Sequence, residues 1–125
     1  MSITLMTTIL VVEDTLSEMR LISHYLQESG YSVISAISAK EALKKVSECK
    51  PDVIITDVVM PGMSGFELCR SIKKEPGLET VPIIICTSKN QDIDRFWAMR
   101  QGASAYLTKP FTREQLLTVV KSVTG

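Results

Sequence analysis

The sequence predicts a doubly wound α/β fold, a five-stranded parallel sheet with helices on both faces. Two observations carry this reading. Five short apolar runs alternate with five stretches of helical period, and three of the runs are apolar without a break, as strands covered on both faces must be. The length of 125 residues suits one domain. A single domain over 1–125 is expected, with 1–7 as an N-terminal tail and no linker, repeat, low-complexity tract or second domain.

The strands are expected at TILVV (8–12), SVISA (32–36), VIIT (53–56), PIIIC (82–86) and AYLT (105–108). The first, third and fourth are the most apolar and belong at the centre. The second and fifth are more polar and suit the edges. Right-handed crossovers leave few topologies. The flavodoxin-like order 2-1-3-4-5 satisfies the polarity and puts the switch point between strands one and three.

The helix starts are written in capping-box patterns, Thr15…Glu18, Ser38…Glu41, Ser64…Glu67 and Thr112…Gln115. Gly30 and Gly102 follow helical patterns and suit left-handed C-caps. Core stripes are expected from Met19, Ile22 and Leu26 on the first helix, Ala39, Leu43 and Val46 on the second, and Leu116, Val120 and Val123 on the fifth. On the fourth helix Phe96 and Met99 are expected to face the core, which leaves Trp97 at the surface.

Composition excludes several classes of function. Hydrophobic residues make up 45% of the chain, enough for a core without staples. Lys plus Arg equals Asp plus Glu at 14 each, so no basic excess marks a nucleic-acid or anionic-membrane partner. Cys49, Cys69 and Cys86 form no C-x-x-C pair and are odd in number, which argues against a disulfide framework. The start MSITLMTT lacks the features of a signal peptide, and no apolar stretch approaches the ~18 residues of a spanning helix. A soluble cytoplasmic protein is expected. There is no G-x-x-x-x-G-K-[ST] and no G-x-G-x-x-G, and the lone His24 has no Cys or His cluster beside it.

The chemistry gathers at one sheet edge. Asp57 ends strand three and runs into the turn-rich VVMPGMSG, where open α/β sheets bind ligands. Glu13 and Asp14 follow strand one, Thr87 closes strand four and Lys109 follows strand five. Three converging carboxylates repel unless a cation neutralises them, and hard oxygen donors suit Mg²⁺. Asp14 alone reads equally as a helix cap, but Thr15 already supplies one. Asp57 is placed to act as a nucleophile forming an acyl phosphate. Lys109 could pair with Asp57 at rest and with phosphoryl oxygens afterwards, and the Lys109-Pro110 step suggests a fixed turn with a cis peptide. Either residue alone, a strand-end Thr87 or a surface lysine, is ordinary; the set gives them weight.

With these residues in view, the chain resembles a response-regulator receiver domain of the chemotaxis type over essentially its whole length. The segments that carry the resemblance are ILVVEDT, PDVIITDVVMPGMSGFEL, PIIICTS and GASAYLTKPF. It implies Asp57 as phosphoacceptor, with Asp14 as a direct Mg²⁺ ligand, Glu13 acting mainly through water and Val59 lending its backbone carbonyl. Thr87 and Lys109 are implied as the phosphoryl-binding pair, Ser88 as small enough to leave access open, and Val59 and Lys89 as residues that tune dephosphorylation. The phosphoryl donor would be a phosphohistidine on a sensor histidine kinase. The resemblance also implies a switch in which Thr87 moves toward the phosphoryl group and Tyr106 rotates inward. That motion would reshape the face made by helix four, strand five and helix five.

Trp97, Tyr106 and Phe111 are the expected partner surface; packing explains an exposed Trp97 equally well, and for Tyr106 it is the lesser alternative. A finer similarity, in TSKNQDIDRFWAMRQGASAYLTKPF and DVVMPGMSGFE, is to receivers of type IV pilus chemosensory systems, which govern twitching or phototactic motility. With no output domain expected, the signal would leave by contact with a downstream protein. Three other readings compete. A phosphate sink shares the chemistry. An aspartyl phosphatase would need a second acid two residues beyond Asp57, where Val59 stands. A scaffold that never takes phosphate would have no need of the acid, Thr and Lys set. A DNA-binding regulator is disfavoured by the missing basic excess and second domain.

Overall fold

The computed structural model describes residues 6–124. Ten elements alternate in chain order: β1 Thr8–Val12, α1 Leu16–Glu28, β2 Ser32–Ala36, α2 Ala39–Cys49, β3 Val53–Thr56, α3 Gly65–Lys74, β4 Ile83–Thr87, α4 Asp92–Arg100, β5 Ala105–Thr108 and α5 Arg113–Thr124. The sheet is parallel throughout, in the order β2-β1-β3-β4-β5. The expected topology is therefore observed, with the two more polar strands at the edges.

Strand alternation divides the core in two. Leu10, Val12, Ile54, Ile83 and Ile85 face α2, α3 and α4. Ile9, Val11, Val53, Ile55, Ile84, Cys86 and Leu107 face α1 and α5. β4 lies one residue later than expected. Pro82 has no N–H to give to a ladder, yet its carbonyl accepts a 3.0 Å bond from the Ile54 N–H. The paired register begins at Ile54–Ile83 and carries Thr87 into the strand beside Thr108.

The helix signals fare unevenly. Gly30 and Gly102 have positive φ, 92° and 100°. Each closes a Schellman turn, through Gly30 N–H to Gln27 O with Tyr31 N–H to Leu26 O, and Gly102 N–H to Met99 O with Ala103 N–H to Ala98 O. Ser38 and Ser64 accept from the Glu41 and Glu67 N–H groups, and Thr112 and Gln115 cap each other in both directions. Thr15 does not cap α1 with its side chain. Its N–H instead donates to Glu13 Oε1 at 3.2 Å, and Glu18 is drawn to Lys109.

The stripes on α1, α2 and α5 point inward as expected, with Leu43 and Val123 half-buried. α4 is a correction. Phe96 and Met99 are about half exposed, as are Ile93 and Trp97, and only Ala98 is buried. Ala98 joins the core on the α2–α4 side, while the bulky side chains on either side of it stay at the surface.

Candidate functional site

Parallel register brings the strand ends level. Val12 pairs with both Ala36 and Thr56, Thr56 pairs with Ile85, and Thr87 with Thr108. Glu13, Asp57 and Lys109 each follow the last residue of a strand, so all three land on one edge with Thr87 between them. The loops are tied there by backbone bonds: Glu13 N–H to Ala36 O, Asp57 N–H to Val12 O and Lys109 N–H to Thr87 O. Carboxylate oxygens of Glu13, Asp14 and Asp57 lie within 4.8 Å of one another. These hard oxygen donors are the set a divalent cation of the Mg²⁺ kind takes.

Lys109 is the hub. Its Nζ lies 2.9 Å from Glu13 Oε2, 3.1 Å from Glu18 Oε1 and 3.2 Å from Asp57 Oδ2. Burial opposes its charge, but the Glu13 hydrogen bond and the Asp57 and Glu13 charges outweigh it and hold the ammonium above its usual range. Burial pushes the Glu13 carboxyl up to about 7 against the pull of Lys109, and the Asp57 charge adds to the rise. Glu18 is shifted the other way: burial raises it, but the pull of Lys109, with smaller contributions from Glu13 and Thr15, outweighs burial and lowers it. Lys109 therefore stays charged, and burial makes Glu13 harder to ionise than an ordinary carboxylate. The Lys109-Pro110 bond is cis.

Asp57 is held from two sides. Its Oδ1 accepts from the Val58 N–H at 2.6 Å, and its Oδ2 meets Lys109. Its carbonyl accepts from the Thr56 hydroxyl at 2.9 Å and faces Gly65 at the start of α3. A Cβ on Gly65 would lie 1.9 Å from that carbonyl oxygen, so glycine is required there by close backbone approach.

The other expected site residues fall into two groups. Thr87 is buried, and its Oγ1 accepts a long 3.4 Å bond from the Lys89 N–H. Ser88 is exposed and lines a groove with Asp57, Lys109, Glu18, Leu21, Ile22 and Phe111. Val59 is exposed beside Asp57, and Lys89 is exposed in the loop after β4. Tyr106 is half-buried; its hydroxyl donates to the Lys89 carbonyl at 2.6 Å and the Arg95 guanidinium lies 5.0 Å from its ring centre. Burial and the Asp94 charge raise its phenol above the usual range.

Trp97 is exposed on α4 as expected. Phe111 does not share its face: it packs on the α1–α5 side, whereas Tyr106 packs on the side of α2, α3 and α4. Two residues escaped the sequence reading. Glu18 was masked by its place in a capping-box pattern. Gly65 gave no signal beyond its position eight residues after Asp57.

Residues 9–121 match the response regulator receiver domain. The chain belongs to this family. Among relatives, Protein PilH of Pseudomonas aeruginosa is 38% identical over 94% of this chain and 98% of its own length. Protein PilG of the same organism is 32% identical over 91% of this chain and 84% of its own length. Among solved structures, the chemotaxis response regulator CheY4 of Vibrio cholerae superimposes with a TM-score of 0.91 at 35% identity, covering 95% of this chain and 99% of that one. These receiver likenesses span the whole acid, threonine and lysine edge. They bear out both the receiver resemblance and the similarity to the pilus branch. Among the described residues, no helix is long and apolar enough to cross a membrane.

Proposed function

We propose that this receiver domain is a phosphorylation switch in which Asp57 takes a phosphoryl group from a phosphohistidine of a sensor histidine kinase. The observation that supports this best is the arrangement at Asp57. One carboxylate oxygen is fixed by a backbone N–H and the other meets a lysine, amid acids that a cation would neutralise. Glu13, Asp14 and Asp57 offer the oxygen donors Mg²⁺ prefers; Asp14 and Asp57 would hold it directly, Glu13 would act through water, and the Val59 carbonyl would be a further ligand. When bound, the ion would offset negative charge on the phosphoryl oxygens.

The chain's own groups do the rest. An Asp57 carboxylate oxygen attacks phosphorus; the new P–O bond forms as the P–N bond breaks, and the imidazole leaves with the electron pair. Lys109 balances the charge that arrives, and orientation of the reactants carries most of the acceleration. The Thr87 hydroxyl turns to donate to a phosphoryl oxygen, and small Ser88 leaves the approach open. Val59 and Lys89, exposed beside the site, set how readily water reaches the acyl phosphate. The domain thus promotes its own phosphorylation and dephosphorylation and turns over no external substrate.

Movement of Thr87 would pull on the loop after β4, whose Lys89 carbonyl holds Tyr106. Tyr106 then re-seats inward and the surface of α4, β5 and α5, including Trp97, changes for a downstream protein. Phe111 borders the Asp57 groove, so its contact would be with the kinase rather than the target. The chain acts as a single receiver domain in the cytoplasm, and its likeness to PilH and PilG supports a place in pilus-based or phototactic motility.

Intact-protein mass spectrometry after incubation with Mg²⁺ and acetyl phosphate tests the proposal. Wild type should gain one phosphoryl group that EDTA prevents. No adduct, at short times and with Mg²⁺ binding verified, would refute it.

A further inference from the structure

Glu18 has no part in the reading above, yet it touches the reacting centre through Lys109. An ammonium has three N–H donors. In this structure three carboxylate oxygens, at 2.9, 3.1 and 3.2 Å, surround the Lys109 nitrogen. The contacts to Glu13 and Asp57 are hydrogen bonds and the one to Glu18 is an ion pair, so the ammonium is ringed by carboxylates before any phosphoryl group arrives.

The three partners differ in what release would cost. The Glu13 side chain is only 1% exposed and would be left a buried carboxylate without a cation. Asp57 is the acceptor itself, and its contact turns into the contact with the acyl phosphate. The Glu18 side chain is 40% exposed, on the first turn of α1, and water can replace the lysine there. It also lines the groove that leads to Asp57, so its negative charge stands beside the path of an anionic phosphodonor.

We infer that Glu18 is a positioning residue for Lys109, the exchangeable ion-pair partner that faces its ammonium at rest and gives way to the phosphoryl group. The inference rests on Asp57 being the phosphoacceptor. Glu18 sets a threshold: a donor must compete it off the lysine. Removing its charge loosens its hold on the ammonium and removes one repelling carboxylate, and both effects favour the donor anion. The size is that of a partly exposed ion pair, about two- to five-fold.

The test is the initial phosphorylation rate by acetyl phosphate at saturating Mg²⁺, in wild type and Glu18→Gln. Folding is checked by urea midpoint, and the Lys109 ammonium signal is followed in ¹H–¹⁵N spectra. Glu18→Gln should lower the half-saturating acetyl phosphate concentration about two- to five-fold with the maximal rate little changed. The gap should close as ionic strength rises toward about 1 M, where screening is short-ranged, and the Lys109 signal should move. A merely structural role would shift the urea midpoint and leave the salt dependence alone. Phosphorylated wild type with an unchanged half-saturation and an unmoved Lys109 signal in the variant overturns the role of Glu18 alone. Wild type that takes no phosphoryl group overturns the proposed function and this inference with it.

Discussion

Gly65→Ala sets helix propensity against steric fit, and the two disagree in sign. Gly65 begins α3 and has no positive φ, so on propensity alone alanine would stabilise the helix by up to about 1 kcal/mol. The structure puts the new Cβ 1.9 Å from the Asp57 carbonyl oxygen, 2.8 Å from its carbon and 3.0 Å from Val58 Cα. Ordinary van der Waals contact starts near 3.4 Å, so α3 or the Asp57 loop must move by more than an ångström. All three obstructing atoms are backbone. The Gly65 N–H to Val58 O bond at 2.9 Å and the Thr56 bond to the Asp57 carbonyl resist that shift.

Overpacking of this kind costs about 1–3 kcal/mol, so the net effect should be destabilisation. A displacement of about 1 Å at a nucleophile can cost about 100-fold in rate, so phosphorylation by acetyl phosphate should fall far more than stability does. Urea unfolding and timed intact-mass measurements on one preparation read both. A variant more stable than wild type, phosphorylated at the wild-type rate, would refute the claim that α3 is seated against the Asp57 backbone.

Further outcomes follow from the same geometry. Ser64→Ala removes the hydroxyl that accepts from Glu67 N–H and should lower stability by about 1 kcal/mol in urea melts. Glu13 should make metal-free stability fall as pH rises. Its folded value of about 7 exceeds the ordinary 4.5, so the folded state holds the extra proton. The contribution is full below about 4.5 and lost by about 7, at most about 3 kcal/mol, and excess Mg²⁺ should flatten the slope seen in urea titrations. Lys109→Met leaves Glu13 buried without its cation. It should cost about 3 kcal/mol at pH 8 and clearly less at pH 5.5, where Glu13 takes up a proton; equal losses at both pH values would contradict the pairing.

Most of the fold could be read from runs of residue type. Continuous apolarity marked β1, β3 and β4 as central, and the polar residues of β2 and β5 marked edges, because burial on two faces favours apolar side chains. The site edge followed from topology, since parallel strands must end together. What the sequence hid has physical causes too. Glu18 sits at the third position after a threonine, where a capping role and an ion pair look alike, and only the fold brings Lys109 within reach. Gly65 answers to a backbone carbonyl contributed by another segment, which leaves no local pattern. On α4, Phe96 and Met99 have core character by type, but the helix touches the core through Ala98 alone, and apolar residues exposed on a helix cannot be told from buried ones by composition.

Borohydride reduction converts an aspartyl phosphate to homoserine, which peptide mass spectrometry can then locate. Protein treated with Mg²⁺ and acetyl phosphate should carry homoserine at position 57 and nowhere else, with none when Mg²⁺ is withheld. Homoserine absent from position 57, with the phosphoryl group found on Thr87, Ser88 or another acid of the cluster, would contradict the assignment of Asp57 as the acceptor.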